Sequence, residues 1–154
     1  MKWIGPLFKN AGGWEAFVAY ESGVWYLDKE NAIEIGKSKS GVMLLPILQK
    51  GYGEDFSTQI DILQNGLENN GQNPELAYEF PFYVPVLTAY KTMPNWANFA
   101  IDWLPNLKLD RESALEIFDA CHGYGIDQKV RQKTISFINS WSKERGFQFA
   151  RPKC

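Results

Sequence analysis

The sequence predicts a mostly α-helical fold, an irregular multi-helix bundle or a short stack of helical hairpins, and three observations carry that expectation. Apolar residues recur at intervals of three and four along most of residues 54–146, capping residues stand where the stripes begin, and glycines or prolines stand where they end. The polar connections between stripes are short, which favours antiparallel neighbours. No fixed period recurs, so a regular solenoid is not expected. A chain of 154 residues is expected to form one domain over 1–154, burying roughly two thirds of the surface its unfolded form exposes.

The strongest helix signals lie in the second half. Asn95 is placed to cap a helix over residues 96–104, which Pro105 stops. Asp110 caps a helix carrying Ala114, Leu115 and Phe118, which ends before Gly123-Tyr124-Gly125. Asp127 opens the longest one, with Val130, Thr134, Phe137, Ile138 and Trp141 at core-facing intervals, Lys143 and Arg145 near the negative end of its dipole, and Gly146 as its stop. In the middle, Phe56, Ile60, Leu63 and Leu67 define one stripe, with Asn65-Gly66 as a signal for an early end. Phe82, Val86, Leu87 and Tyr90 define another between prolines. Residues 41–50 predict a helix that Pro46 kinks or restarts. In the first quarter, Gly12-Gly13 followed by Trp14, Phe17 and Val18 predicts a short helix, while Val24-Trp25-Tyr26-Leu27 and Ala32-Ile33-Glu34-Ile35 suit short strands.

Composition bounds the function. Hydrophobic residues make up 45% and charged residues 22%, an ordinary globular balance that argues against disorder and fibres. Six Trp, seven Tyr and ten Phe supply rigid surface for a core and, in part, for partner contacts. Cys121 lies in an apolar helical pattern and Cys154 is the last residue, so no disulfide framework is expected and a reducing compartment is favoured. The start, Met1-Lys2-Trp3-Ile4-Gly5-Pro6, has no apolar run of secretory-signal length, and no segment approaches the ~18 apolar residues of a membrane span. The expectation is a cytoplasmic protein without a membrane partner.

No segment names a reaction, and no catalytic residue, metal or cofactor is expected. His122 is the only histidine, which removes most metal sites and leaves one candidate for proton transfer near neutral pH. It follows Cys121, but neighbours on a helix point about 100° apart, a poor geometry for a nucleophile and base. His122 therefore reads as a helix C-terminal residue and Cys121 as buried filling. Gly51-Tyr52-Gly53 and Gly123-Tyr124-Gly125 are turns, and Gly36-Lys37-Ser38 lacks the upstream glycine of a phosphate loop. A pI of about 5.5 argues against nucleic-acid binding, and Lys129, Arg131 and Lys133 read as a solvated helix face.

The acidic residues are more informative. Residues 51–90 contain Glu54, Asp55, Asp61, Glu68, Glu75 and Glu79 and no Lys or Arg, whereas residues 101–154 contain nine Lys or Arg against seven Asp or Glu. Glu54, Asp61 and Glu68 recur every seven residues and cluster on one helical face, roughly opposite the stripe of Phe56, Ile60, Leu63 and Leu67. These six carboxylates are the candidate partner-binding residues.

In the second half, Trp96-Ala97-Asn98-Phe99-Ala100-Ile101-Asp102-Trp103-Leu104, leading to Asp127-Gln128-Lys129-Val130-Arg131-Gln132-Lys133-Thr134-Ile135, resembles helical immunity proteins of bacterial polymorphic and contact-dependent inhibition toxin systems. The pattern of Trp-Leu, acidic loop and Arg-bearing last helix covers about a third of the chain. The resemblance implies a small cytoplasmic antidote without activity of its own that neutralises one cognate toxin domain. An acidic surface suits a nuclease, whose own site must be positive. The alternative is a helical adaptor that takes a peptide or partner helix in an apolar groove lined by Trp96, Phe99 and Trp103. A small enzyme using His122 is the third reading.

Overall fold

The computed structural model describes residues 1–37, 39–49 and 51–150. Within residues 1–37 there is no helix, so the expectation around Trp14, Phe17 and Val18 is corrected to extended chain. Gly12 and Gly13 belong to a loop. The Asn10 N–H donates to the Trp14 carbonyl (2.9 Å), the Gly13 N–H to the Asn10 carbonyl (3.0 Å) and the Trp14 N–H to Asn10 Oδ1 (2.9 Å). The loop reverses the chain and pairs Ile4 with Val18 and Lys9 with Glu15. Along the returning limb Glu15 is exposed, Ala16 buried, Phe17 half-buried and Val18 buried, a strand period that the spacing of Trp14 and Phe17 concealed.

Strand β1 (Val18–Glu21) pairs antiparallel with β2 (Val24–Leu27), Val18 opposite Leu27, and β2 pairs with β3 (Ile33–Glu34). The strand reading of Val24-Trp25-Tyr26-Leu27 therefore holds. Ser22 and Gly23 join β1 to β2 with φ of 52° and 84°, the combination of positive angles that matches the right-handed twist of a two-residue hairpin. A Ser-Gly pair between apolar runs is its sequence signal.

Helix α1 (Ser40–Leu44) passes into a 3₁₀ turn over Leu45–Leu48 with Pro46 in its first turn, as the restart at Pro46 anticipated. Lys50, the end of that expected helix, lies outside the described residues. Helix α2 (Phe56–Asn69) is capped by Asp55, whose Oδ1 accepts from the Thr58 N–H (2.9 Å). It runs through Asn65-Gly66 instead of ending there. A Cβ on Gly66 would run into the Ile4 side chain, so the bare glycine lets α2 lie directly on the amino-terminal segment, and packing outweighs its low helix propensity. Two amides tie the helical part to the extended one: Gln59 Nε2 donates to the Leu7 carbonyl and Gln72 Nε2 to the Tyr20 carbonyl, each at 2.9 Å.

A 3₁₀ turn over Pro74–Glu79 leads to α3 (Tyr83–Lys91). Next comes one nearly continuous helical run: a 3₁₀ turn Pro94–Trp96, helix α4 (Ala97–Ala100) and a 3₁₀ segment Ile101–Asn106. Asn95 thus lies inside the run instead of capping it, and Pro105 inside its end instead of stopping it. Pro94, already set to a helical φ, starts the run. Helix α5 (Arg111–Ala120) begins with the expected Asp110 cap, reinforced by reciprocal bonds with Ser113 at 2.7 and 3.0 Å. Helix α6 (Gln128–Glu144) is capped by Asp127, which accepts from the Lys129 N–H (3.1 Å), and it stops ahead of Gly146 (φ 80°).

The chain is about 53% helical, with six α-helices and a small three-stranded sheet among the described residues, so it is mostly α with some sheet. One buried cluster reaches from Ile4 to Ile138. Ring contacts run from the sheet into the helices through Tyr20–Trp25 (5.2 Å), Trp25–Phe80 (5.2 Å), Phe80–Phe82 (4.7 Å) and Phe82–Trp103 (5.7 Å). Each such pair adds about 0.5–1.5 kcal/mol beyond its area burial. Among the described residues, no helix is long and apolar enough to cross a membrane.

Candidate functional site

All six carboxylates of residues 51–90 are exposed, but the structure does not gather them into one row. Helix α2 starts at Phe56, so Glu54 precedes it and leaves the seven-residue repeat, a correction to the expected face. Asp61 and Glu68 remain on the solvent side of α2, away from buried Ile60, Leu63 and Leu67. Asp55 is engaged at the helix start, where a carboxylate meets the positive end of the dipole. Glu75 stands in the first turn of the 3₁₀ segment that Asn73 caps. Glu79 is balanced by a cation remote in sequence, with Lys108 Nζ donating to its Oε1 at 2.6 Å. Both partners are exposed, so the pair adds at most about 1 kcal/mol.

Three depressions adjoin along this side. The first, of 490 Å³, is lined by residues including Phe56, Tyr78, Glu79, Tyr83, Asn106 and Lys108. The second, of 600 Å³, is lined by residues including Tyr52, Glu54, Asp55, Phe56, Asp102, Trp103 and Asn106. The third, of 260 Å³, lies between Asn10, Pro46, Gln49, Tyr52 and Trp96. Phe56 and Asn106 belong to both the first and the second, and Tyr52 to both the second and the third. Glu54, Asp55 and Glu79 are thereby brought to these depressions, while Asp61, Glu68 and Glu75 line none of the three.

Asp102 is the residue that sequence reasoning missed, because only tertiary packing brings the Ile101–Asn106 segment to the depression that Glu54 also lines. Tyr52 was visible only as part of a turn, and its exposure is a finding of the structure. Negative charge continues toward α5: Tyr83 is held above the ordinary tyrosine pKa first by partial burial and then by Glu116, Asp110 and Glu112. Trp103 lines the second depression and Trp96 the third, while Phe99 lines none of the three. Trp103 is buried, with its Nε1 donating to the Leu48 carbonyl (3.3 Å), and Trp96 packs edge-on against Phe99 at 5.7 Å.

At the end of α5 the Phe118 carbonyl accepts from the Cys121 thiol (3.0 Å) and from His122 Nδ1 (2.8 Å). That bond places the proton on Nδ1, so this nitrogen, 3.7 Å from Cys121 Sγ, offers the thiol no lone pair. Burial pushes the Cys121 pKa up to about 11, which keeps sulfur in its unreactive form. Arg131 is not part of a solvated face, and that expectation is corrected. Its Nε donates to the Cys121 carbonyl (3.0 Å) and its Nη2 to the Gly123 (3.3 Å) and Ile126 (3.5 Å) carbonyls. The guanidinium fork thus binds the oxygens of the turn between α5 and α6.

Among the described residues, no three His, Cys, Asp or Glu side chains are grouped to hold a metal ion. Compared with protein-family models, with curated proteins and with solved structures, the chain matches none of them.

Proposed function

We propose that this chain is a cytoplasmic, non-enzymatic immunity protein that binds and neutralises a cognate bacterial toxin domain, a nuclease, through its acidic surface. The observation that carries the reading is that Glu54, Asp55, Asp61, Glu68, Glu75 and Glu79 are all exposed in a segment without a single Lys or Arg. A surface of that sign complements a site evolved to hold phosphates and steers encounter with it. The resemblance of residues 96–104 and 127–135 to helical immunity proteins supports the same reading. Within those residues Trp103 and Leu104 are buried and Arg131 ties α6 to α5, while Asp102 is exposed. The helical part is accordingly read as an irregular bundle that displays the acidic side.

The test is co-expression with the carboxy-terminal domain of the neighbouring gene's product, which this reading expects to be a large secreted protein. Restored growth and a stoichiometric complex are expected. A toxin domain that kills equally with and without this chain, and does not bind it, overturns the proposal.

A further inference from the structure

We propose that the three depressions around Tyr52 and Phe56 form one groove that receives an extended basic segment of a partner protein, with a Lys or Arg side chain seated between Glu54 and Asp102. The proposal rests on the reading that the chain binds a protein, and assigns the face and the chemistry of what it takes.

The depressions are joined by shared walls: Tyr52 separates the third from the second, and Phe56 with Asn106 separates the second from the first. Successive depressions suit an extended segment, whose alternate side chains point the same way about 6.6 Å apart. The rims carry aromatic surface in water. Tyr52, Tyr78 and Tyr83 are 41%, 46% and 38% exposed, and solvated tyrosines are a common anchor of protein interfaces.

Charge selects the occupant. Among the described residues lining the middle depression none is a cation, and neither Glu54 nor Asp102 takes part in an ion pair among the described residues. Phe56 and Trp103 contribute ring surface to the same depression. Carboxylates beside aromatic rings match a guanidinium or an ammonium on an apolar stem, which gains from both at once. Because no three acidic side chains are grouped for a metal among the described residues, an organic cation fits this arrangement better than an inorganic one. In the first depression the cation, Lys108, is held by Glu79 and does not oppose a basic visitor.

The experiment pans a random dodecapeptide library against the whole folded chain and measures selected peptides by fluorescence anisotropy. Enriched peptides are expected to carry at least one Lys or Arg. The exposed-site double variant Glu54→Gln/Asp102→Asn and the single variant Tyr52→Ala, each checked by circular dichroism, are expected to bind them about tenfold more weakly or worse. Glu21→Gln/Glu30→Gln, exposed and lining none of the three depressions, should bind them as the parent does. Failure to enrich any peptide, peptides without basic residues, or equal binding to the groove variants each overturns the groove. The immunity reading fails separately, through the toxin domain. If that domain binds the chain and the groove variants hold it as tightly as the parent does, the groove assignment falls while the immunity reading stands.

Discussion

Residues 51–90 turn all six of their carboxylates to solvent, whereas the basic trio on α6 is divided: Lys129 and Lys133 are exposed, and Arg131 reaches back to three carbonyls of the turn after α5. Both stretches look like solvated helix faces in the sequence. They differ because, among the described residues, no cation pairs with Asp61 or Glu68 on α2, while a long guanidinium at the start of α6 faces the unpaired oxygens that every helix end leaves. Like charges in a row therefore need not share a role. One region displays its charge to solvent, and the other uses part of its charge to hold two helices together.

The largest effect is expected at Arg131. Arg131→Ala should cost about 2 to 3 kcal/mol and lower the melting temperature by roughly 5 to 10 °C, measured by thermal and urea unfolding. Arg131→Lys should recover only part of that, since an ammonium does not span three carbonyls. A loss below about 0.5 kcal/mol would return Arg131 to the solvated face.

On the acidic side the expected pattern is the reverse. Asp61→Lys/Glu68→Lys should leave stability within about 0.5 kcal/mol yet slow association with the toxin domain about tenfold at low salt. The difference should shrink as ionic strength rises, because screening acts on long-range attraction. A folded variant that associates as fast as the parent at every salt concentration would show these two carboxylates to be ordinary surface.

A third test sharpens the structural character of the α5–α6 corner. Burial raises the Cys121 pKa from 9.0 to about 11, so the folded chain keeps a proton that the unfolded chain loses. The associated stability is complete below pH 9 and declines as pH rises from 9 through about 11. Cys121→Ala should flatten that part of the stability profile. The buried Tyr90, hydrogen-bonded to Thr134 Oγ1 at 2.6 Å and with its pKa raised chiefly by burial, should still steepen it at higher pH. In a Cys154→Ser background the Cys121 thiol should react with a disulfide reagent only as fast as the chain opens. Rapid reaction at pH 8 would contradict this.

The smallest effect is expected at His122. His122→Ala loses one bond to a carbonyl and an edge contact with Phe118, a change of about 1 kcal/mol or less, and should leave growth protection intact. Loss of protection in a folded His122→Ala chain would reopen an enzymatic reading.

The helical architecture was legible where a local signal is strong. Asp55, Asp110 and Asp127 stand at helix starts, and Asp110 and Asp127 were read as caps from type and position alone. The stop signal at Asn65-Gly66 does not end α2, because the reason for a glycine there is Ile4, far away in sequence. The amino-terminal strands were blurred because Trp14, Phe17 and Val18 fit a helical interval by coincidence, while the turn bonds of Asn10 decide the matter. Of the candidate site, the carboxylates were visible as a charge excess, and their partition between groove and open helix was not.

By itself the sequence determined the caps, most of the buried stripes, the sign of the surface over residues 51–90 and the poverty of histidine. These follow from side-chain chemistry acting over one or two turns. Tertiary structure alone decided that Gly66 continues a helix, that Arg131 points inward, that Lys108 balances Glu79 and that Asp102 and Glu54 line one depression. Each of those outcomes depends on a partner remote in the chain, and the free energy that fixes it comes from packing, hydrogen bonding or charge between segments that meet only when the common core has formed.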